Sequence, residues 1–519
     1  MAESLALIPA IVERLFEGYN LKAAITLVLS ALIGRYFYLR SKDDLGKLPL
    51  VNGKKWYQFT ANKQRAAFVG SAKNIIDDAL ANVGGKFMIQ TENDVELFLS
   101  ADYAIGIKDN PALSFNAHVE QHLPAHLPAF SPFKTQTPKG SVFHDAVKLN
   151  MVTDVARLNT PLSEEAANSL ETYYGEDPEW HEIAHKEISF KIISQLSSRI
   201  FLGEELCRDQ GWIQVQVDYT RRAMATALNI RQWPHFLRPL AYRLMPQCRE
   251  LENDCKRSFD IINPVLSKRR LEVEERKKKG LEPKKYMDAM QWMEDAAKGR
   301  WYDPAASQMA FAIAANFTGA DSLSNALLHI CADQKLVEEL RAEIIEVLGG
   351  EGGLNKQALT KMHLMDSVLK EQQRLKPIAV AVMRRVAVAD TKLPDGTRIP
   401  KGTGLMVSMD KSWDPKIYPE PEKFDPYRFL RMRQAGDPMA QFVSVSPEAL
   451  GFGIGKYVCP GRFFASNELK IVLSHILLKY DVKLAPDAPV ATEFFGVNWA
   501  VNNASSILIR RRKEEINIL

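Results

Sequence analysis

Cys459 has the clearest chemical setting in this sequence. It lies within Gly451–Ala465, GFGIGKYVCPGRFFA, behind glycines at every second position and ahead of Pro460, Gly461 and a helical run. A thiol placed where a helix begins is stabilised as thiolate, because unpaired backbone N–H groups and the positive end of the dipole face it. Pro460 suits the first turn of that helix. Gly455 and Gly461 let a flat partner approach the backbone, and Phe452 can cover the sulfur from water. Such a nest can hold a nucleophile, a structural thiol or a metal ligand. With no histidine nearby to act as base, it suits best a thiolate serving as the single axial ligand of a haem iron.

Two other clusters spell metal-binding patterns. His181-Glu182-xx-His185 is the zincin arrangement, with Glu204 or Glu205 as a third ligand and a zinc hydrolase as the implied activity. The competing expectation is an exposed helix rich in His, Glu and Lys, with both histidines in a solvated first turn. His118, His122 and His126 stand at four-residue spacing, but Pro124 interrupts any helix that would gather them, so a mobile loop is expected.

The rest of the composition narrows the classes. The 519 residues carry 67 basic and 63 acidic side chains, a net charge of +4 that gives no reason to expect a nucleic-acid partner. Five cysteines without CxxC pairs fit neither a disulfide framework nor a structural zinc site, and point to a reducing compartment. Leu21–Leu39, LKAAITLVLSALIGRYFYL, is apolar on every face, has no cleavage site after it, and is followed by Arg40, Lys42 and Lys47. It reads as an uncleaved membrane anchor with the body on the cytosolic side. The expected organisation is a leader over 1–20, the anchor over 21–39, a linker over 40–55 and one catalytic domain over 56–519.

The elements that must position Cys459 follow from pattern. A long apolar helix is expected from Pro304 to Ala332, capped by Asp303. An amphipathic helix follows in QKLVEELRAEIIEVLGG, closed by Gly349 and Gly350, and another in MDSVLKEQQRLKP, stopped by Pro377. VAVADTKLPDGTRIPKGTGLMVS reads as short strands around a Pro-Asp-Gly turn, and KIYPEPEKFDPYRFL as a proline-rich meander. The fold class expected is mainly α with small β-sheets.

The cysteine segment resembles the haem-binding signature of the cytochrome P-450 family, F-x-x-G-x-[basic]-x-C-x-G, through Phe452, Gly455, Cys459 and Gly461. The basic position is Tyr457 here, so Lys456 or another cation must contribute the charge that pairs a haem propionate. Glu371 and Arg374 resemble the family's E-x-x-R, and Arg428 in FDPYRF supplies its third member, which implies a structural lock. Arg384 or Arg385 resembles the strand arginine that pairs a propionate. AANFTGADS aligns with the oxygen-activation motif, with Ala314 and Ala315 small over the iron and Thr318 the hydroxyl. Phe317 stands where the family has an acid, so Asp321, one turn on, is expected to relay protons through water. In place of a tryptophan–arginine propionate grip the chain offers His144 and Lys148.

The resemblance covers about residues 45–519. Through RLKPIAVAVMRRV, CPGRFFASNELKI and LSHILLKYDVKL it is nearest to fungal monooxygenases of terpenoid biosynthesis, such as ent-kaurene, gibberellin and indole-diterpene oxidases. It implies the cytochrome P-450 fold, haem b ligated by Cys459, and NADPH electrons delivered by a separate reductase, with cytochrome b5 a candidate second donor. Membrane lipid at the endoplasmic reticulum and an apolar terpenoid substrate complete the expected partners. Phe115, Phe130, Phe133, Phe311 and Phe317 are candidate pocket residues. Two further readings stay open beside the zinc hydrolase: a haem-thiolate desaturase or isomerase without net oxygen insertion, and a tethered haem protein without catalysis.

Overall fold

The structure, a computed structural model, describes residues 44–518 apart from 137–140, 152–154, 352 and 487–491, together with residues 26, 28 and 30. But for those three positions the expected anchor and the leader before it lie outside the described residues. Among the described residues no helix is long and apolar enough to cross a membrane.

Short, largely apolar runs between turn residues become the strands. They are Leu50–Val51 (β1), Lys86–Gln90 (β2), Val95–Leu99 (β3), Leu113–Ser114 (β4) and His181–Ile183 (β5) in the N-terminal part. Ala381–Ala387 (β6), Thr391–Lys392 (β7), Arg398–Ile399 (β8) and Gly404–Ser408 (β9) come next. Tyr480–Leu484 (β10), Thr492–Phe495 (β11), Asn498–Val501 (β12) and Ile507–Arg511 (β13) end the series. Six strands form one sheet in the order β1-β2-β3-β9-β6-β4, so chain segments from both ends meet in it. The segment expected to be a linker therefore already belongs to the body: Leu50 and Val51 pair with Met88 and Ile89.

The helices that position the site are Phe115–His122 (α1), Val142–Asn150 (α2), Asn159–Tyr174 (α3), His185–Phe201 (α4) and Gln210–Arg231 (α5). After them come Pro304–Cys331 (α6), Gln334–Glu351 (α7), His363–Leu375 (α8) and Arg462–Lys479 (α9). The main core joins Leu162 and Leu170 of α3, Ile192 and Leu196 of α4, Leu323 and Leu327 of α6, Val368 of α8, and Val472 and Ile476 of α9. Each such side chain, fully buried, contributes on the order of 1.5–3 kcal/mol. Asp303 caps α6 by accepting the Ala306 N–H at 3.0 Å, and Pro304 opens it, as the sequence predicts. Gly349 and Gly350 do not close α7, which runs on to Glu351.

Both histidine patterns resolve differently from expectation. His181 lies on β5, paired with Ile509 of β13, and not on a helix. Only His185 is helical, and it is fully buried, with its Nδ1 3.0 Å from the Ser505 carbonyl oxygen. A strand and a helix separated by Ala184 cannot present two imidazoles one helical turn apart, and no group of metal-ligating side chains is found among the described residues. His118 and His122 are not in a mobile loop. They stack at 3.9 Å on the buried face of α1, and His122 Nε2 lies 3.2 Å from Glu96 Oε1. Pro124 ends the helix just after them, leaving His126 beyond it.

Candidate active site

The cysteine loop is built from its own turns and from neighbours far along the chain. The Cys459 N–H donates to the Phe452 carbonyl at 2.9 Å, and Phe452 packs edge-on against Phe442 at 5.2 Å. Gly455 has φ +75°, and a Cβ there would sit 2.6 Å from Lys108 Cβ and 2.8 Å from the Lys108 carbonyl oxygen. Its missing side chain thus admits the chain's own 108–109 turn and not a flat ligand, contrary to expectation. A Cβ on Gly461 would stand 4.0 Å from Cys459 Sγ and 3.8 Å from Met151 Cε, which is ordinary contact. The helix begins at Arg462, so Pro460 precedes it and does not open it. Burial pushes the Cys459 thiol up, opposed by the backbone N–H groups of Gly461 and Arg462 and by the Arg462 charge.

Beside this loop stands a buried cation. Between Val382 and Arg385 the β6–β9 register shifts, and Met383 takes φ +50°. A bulge of this kind re-aims the side chains beside it. Arg385 is buried, with its guanidinium carbon 4.3 Å from the Tyr457 ring centre and 5.7 Å from that of Phe115. Burial pulls its pKa down to about 10, and among the described residues no carboxylate pairs with it. The charge of Arg384 reaches Glu96 and His118, and that of Arg385 also reaches His118. Lys456 is exposed and donates from Nζ to the Asn110 carbonyl at 2.6 Å.

Behind the loop, Glu371 is fully buried and shared by two guanidiniums. Arg374 donates to both its oxygens at 2.7 and 2.8 Å, and Arg428 Nε donates at 3.1 and 3.2 Å. Arg374 also donates to the Ser412 carbonyl and Arg428 to the Pro419 carbonyl, which ties the meander to α8. A partner that sequence reasoning missed lies next to it. Lys370 donates to the carbonyls of Met439, Gln441 and Ser444 at 2.6, 2.7 and 3.1 Å, and burial lowers its pKa to about 8. No local signal marks that lysine, because its acceptors lie about seventy positions away.

On α6 the pattern of exposure is unusual. Ala314, Phe317 and Thr318 are exposed at one-turn spacing on a helix whose remaining faces are mostly buried. Thr318 Oγ1 donates to the Ala314 carbonyl at 3.1 Å. Asp321, expected on that open face, is instead buried in an ion pair with Lys376 and accepts the Val501 N–H at 2.9 Å. Each of its oxygens holds a partner, so it braces α6 to the end of α8 and to β12 from a buried position away from the open stripe. Lys376 is a second residue that sequence reasoning missed.

The sequence profile of the cytochrome P-450 family matches residues 147–507. This chain belongs to the cytochrome P-450 family. It is 40% identical over 498 residues to the cytochrome P-450 monooxygenase adrA of Penicillium rubens, covering 95% of this chain and 97% of that one. It is also 40% identical over 471 residues to hepE of Aspergillus oryzae, covering 90% and 86%, and over 424 residues to monooxygenase 1 of Gibberella fujikuroi, covering 81% and 96%. As a cytochrome P-450 monooxygenase it is an oxidoreductase that uses haem on a cysteine thiolate and electrons from a reductase partner.

The residues present fit that group. A cysteine sulfur sits among backbone N–H groups, a buried guanidinium without a carboxylate suits an anionic propionate, and one helix leaves a stripe open beside a hydroxyl. Other residues expected around this P-450's pocket are placed elsewhere. Phe130 and Phe133 belong to a core with Tyr219 and Ala223, and Phe311 is buried between Phe143 and Phe201 at 4.4 and 5.0 Å. Ala315 packs partly against the main core. Lys148 and His144 are exposed on α2, whose end brings Met151 beside Gly461.

Proposed function

We propose that this P-450 oxidises C–H bonds of an apolar terpenoid, a diterpenoid or indole-diterpene, in fungal secondary metabolite biosynthesis, with Cys459 as the haem's axial ligand. The observation that carries this reading is the open stripe of Ala314, Phe317 and Thr318, which offers a substrate two apolar side chains and one hydroxyl and no charge. The bound haem supplies dioxygen activation and C–H oxidation. Around it, Ala314 leaves space for the substrate, Phe317 excludes water, and Thr318 can hold a proton at Oγ1. Feeding candidate diterpenes to cells that express the chain with an NADPH-dependent reductase, and identifying the products, tests the class. Failure to turn over any of them while polar substrates react would overturn it.

Phe317 in the acid position and the locked carboxylate of Asp321 favour a second reading, a desaturase or isomerase without net oxygen insertion. Label from isotopic dioxygen in the product supports hydroxylation, and its absence supports the alternative. The apolar segment at 21–39 supports anchoring in the endoplasmic reticulum membrane with the catalytic domain in the cytosol. The nearly full exposure of Trp56 and Phe59 supports contact between the adjoining surface and lipid. Release of the full chain from membranes by alkaline wash would count against the anchor. Cytochrome b5 as an auxiliary donor is tested by its effect on product formed per NADPH.

A further inference from the structure

The family's cation two residues before the cysteine is absent here, and the sequence leaves Lys456 or another cation to replace it. Lys456 is engaged elsewhere, through its Nζ with Asn110 and its backbone N–H with Asp109. Tyr457 itself lies flat against a different cation, one delivered by β6 and not by the cysteine loop.

We propose that Tyr457 is a positioning residue for the haem: its ring and that of Phe115 clamp the Arg385 guanidinium where it can meet a propionate, so that the residue standing in the loop cation's place acts through the strand arginine. The inference rests on the haem-thiolate reading above. Three features carry it. The guanidinium carbon lies 4.3 Å from the Tyr457 ring centre and 5.7 Å from that of Phe115, and the two rings are 6.0 Å apart and inclined at 55°. A desolvated guanidinium over aromatic faces is held by their quadrupoles without being neutralised, so its charge stays available for a carboxylate. Arg385 Nη1 donates to the Arg384 carbonyl at 2.7 Å, which fixes the plane of the fork while leaving other N–H groups for a ligand. The bulge at Met383 breaks the alternation of β6, so that Arg385, Val386 and Ala387 are buried in succession and the arginine turns toward the loop.

The competing role for Tyr457 is a direct hydrogen bond from its hydroxyl to the propionate, and the two are separable. Haem loss from the full-length holoprotein is followed by transfer to apomyoglobin, beside the Soret spectrum. Tyr457→Phe keeps the ring and should lose haem at the native rate. Tyr457→Leu, Phe115→Leu and Arg385→Lys should each lose it faster, Tyr457→Leu by roughly tenfold. Tyr457→Leu combined with Arg385→Lys should be little worse than Arg385→Lys alone, because both remove the same interaction. Equal loss from Tyr457→Phe and Tyr457→Leu, or strict additivity of the double variant, would overturn the proposal. Phe115 is exposed on α1 and its replacement spares the core, so a native rate for Phe115→Leu would overturn the clamp even where a Tyr457 variant fails to fold. Absence of haem from the native chain would instead strike the haem-thiolate reading itself.

Discussion

Glu371 receives two guanidiniums in a place without water, and removing one partner of such a set leaves buried charge exposed to nothing. Glu371→Gln should therefore lower folding stability by about 3–5 kcal/mol and reduce bound haem, measured as haem per polypeptide and by thermal melting. Haem content and melting equal to the native protein would reduce the triad to a passive contact. Cys459→Ser should abolish the thiolate-type Soret band of the reduced carbon monoxide complex, and a retained band would remove Cys459 as ligand. Both residues are legible from spacing, since Glu371 and Arg374 are three apart on one helix and Cys459 sits in a short motif. Which of Arg384 and Arg385 lies against the Tyr457 ring was not legible, because it depends on a bulge in β6.

At the scale of elements, α6 carries both the open stripe and the brace to the end of α8. Asp321→Asn leaves the Lys376 ammonium buried without its carboxylate, and a loss of about 3–5 kcal/mol in chemical denaturation is expected. Asp321→Asn with Lys376→Met, which keeps an oxygen for the Val501 N–H, should recover most of that loss and couple NADPH use to product as the native enzyme does. Recovered stability with persistent uncoupling would return Asp321 to proton delivery. The periodicity of α6 and its cap were readable in advance, as was the stop of α8 before Pro377. Helical spacing put Asp321 near Thr318, but it could not show that Lys376 waits on the inner side. The same limit applies to Phe130 and Phe311, where an aromatic residue in a loop or on a helix looks alike whether it lines a pocket or fills a core.

Across the whole molecule, helices α4, α6 and α9 meet closely at Gly319, where a Cβ would stand 3.1 Å from Ile193 Cγ2 and 3.6 Å from Glu468 Oε2. Burial raises the Glu468 pKa to about 8, and Ser197 Oγ donates to it at 2.8 Å. The folded chain thus keeps a proton that the unfolded chain releases above about 4.5. Stability from this group is fully present below 4.5 and is lost as pH rises to 8, at about 1.4 kcal/mol per pH unit. Glu468→Gln should flatten the urea midpoint between pH 5 and 8, and an unchanged slope would assign that dependence to other groups. By itself the sequence determined the helical class, the cap of α6, the thiol's place before a helix and the E-x-x-R pair, because each depends on neighbours within a few residues. The tertiary structure alone decided that β1 joins the body, that the zincin spelling straddles a strand and a helix, and that Asp321 is a brace. Those outcomes rest on contacts such as Asp321 with Lys376 and Val501, 55 and 180 positions away. Packing selects such partners by shape and burial once the chain has closed on itself, and no local pattern encodes them.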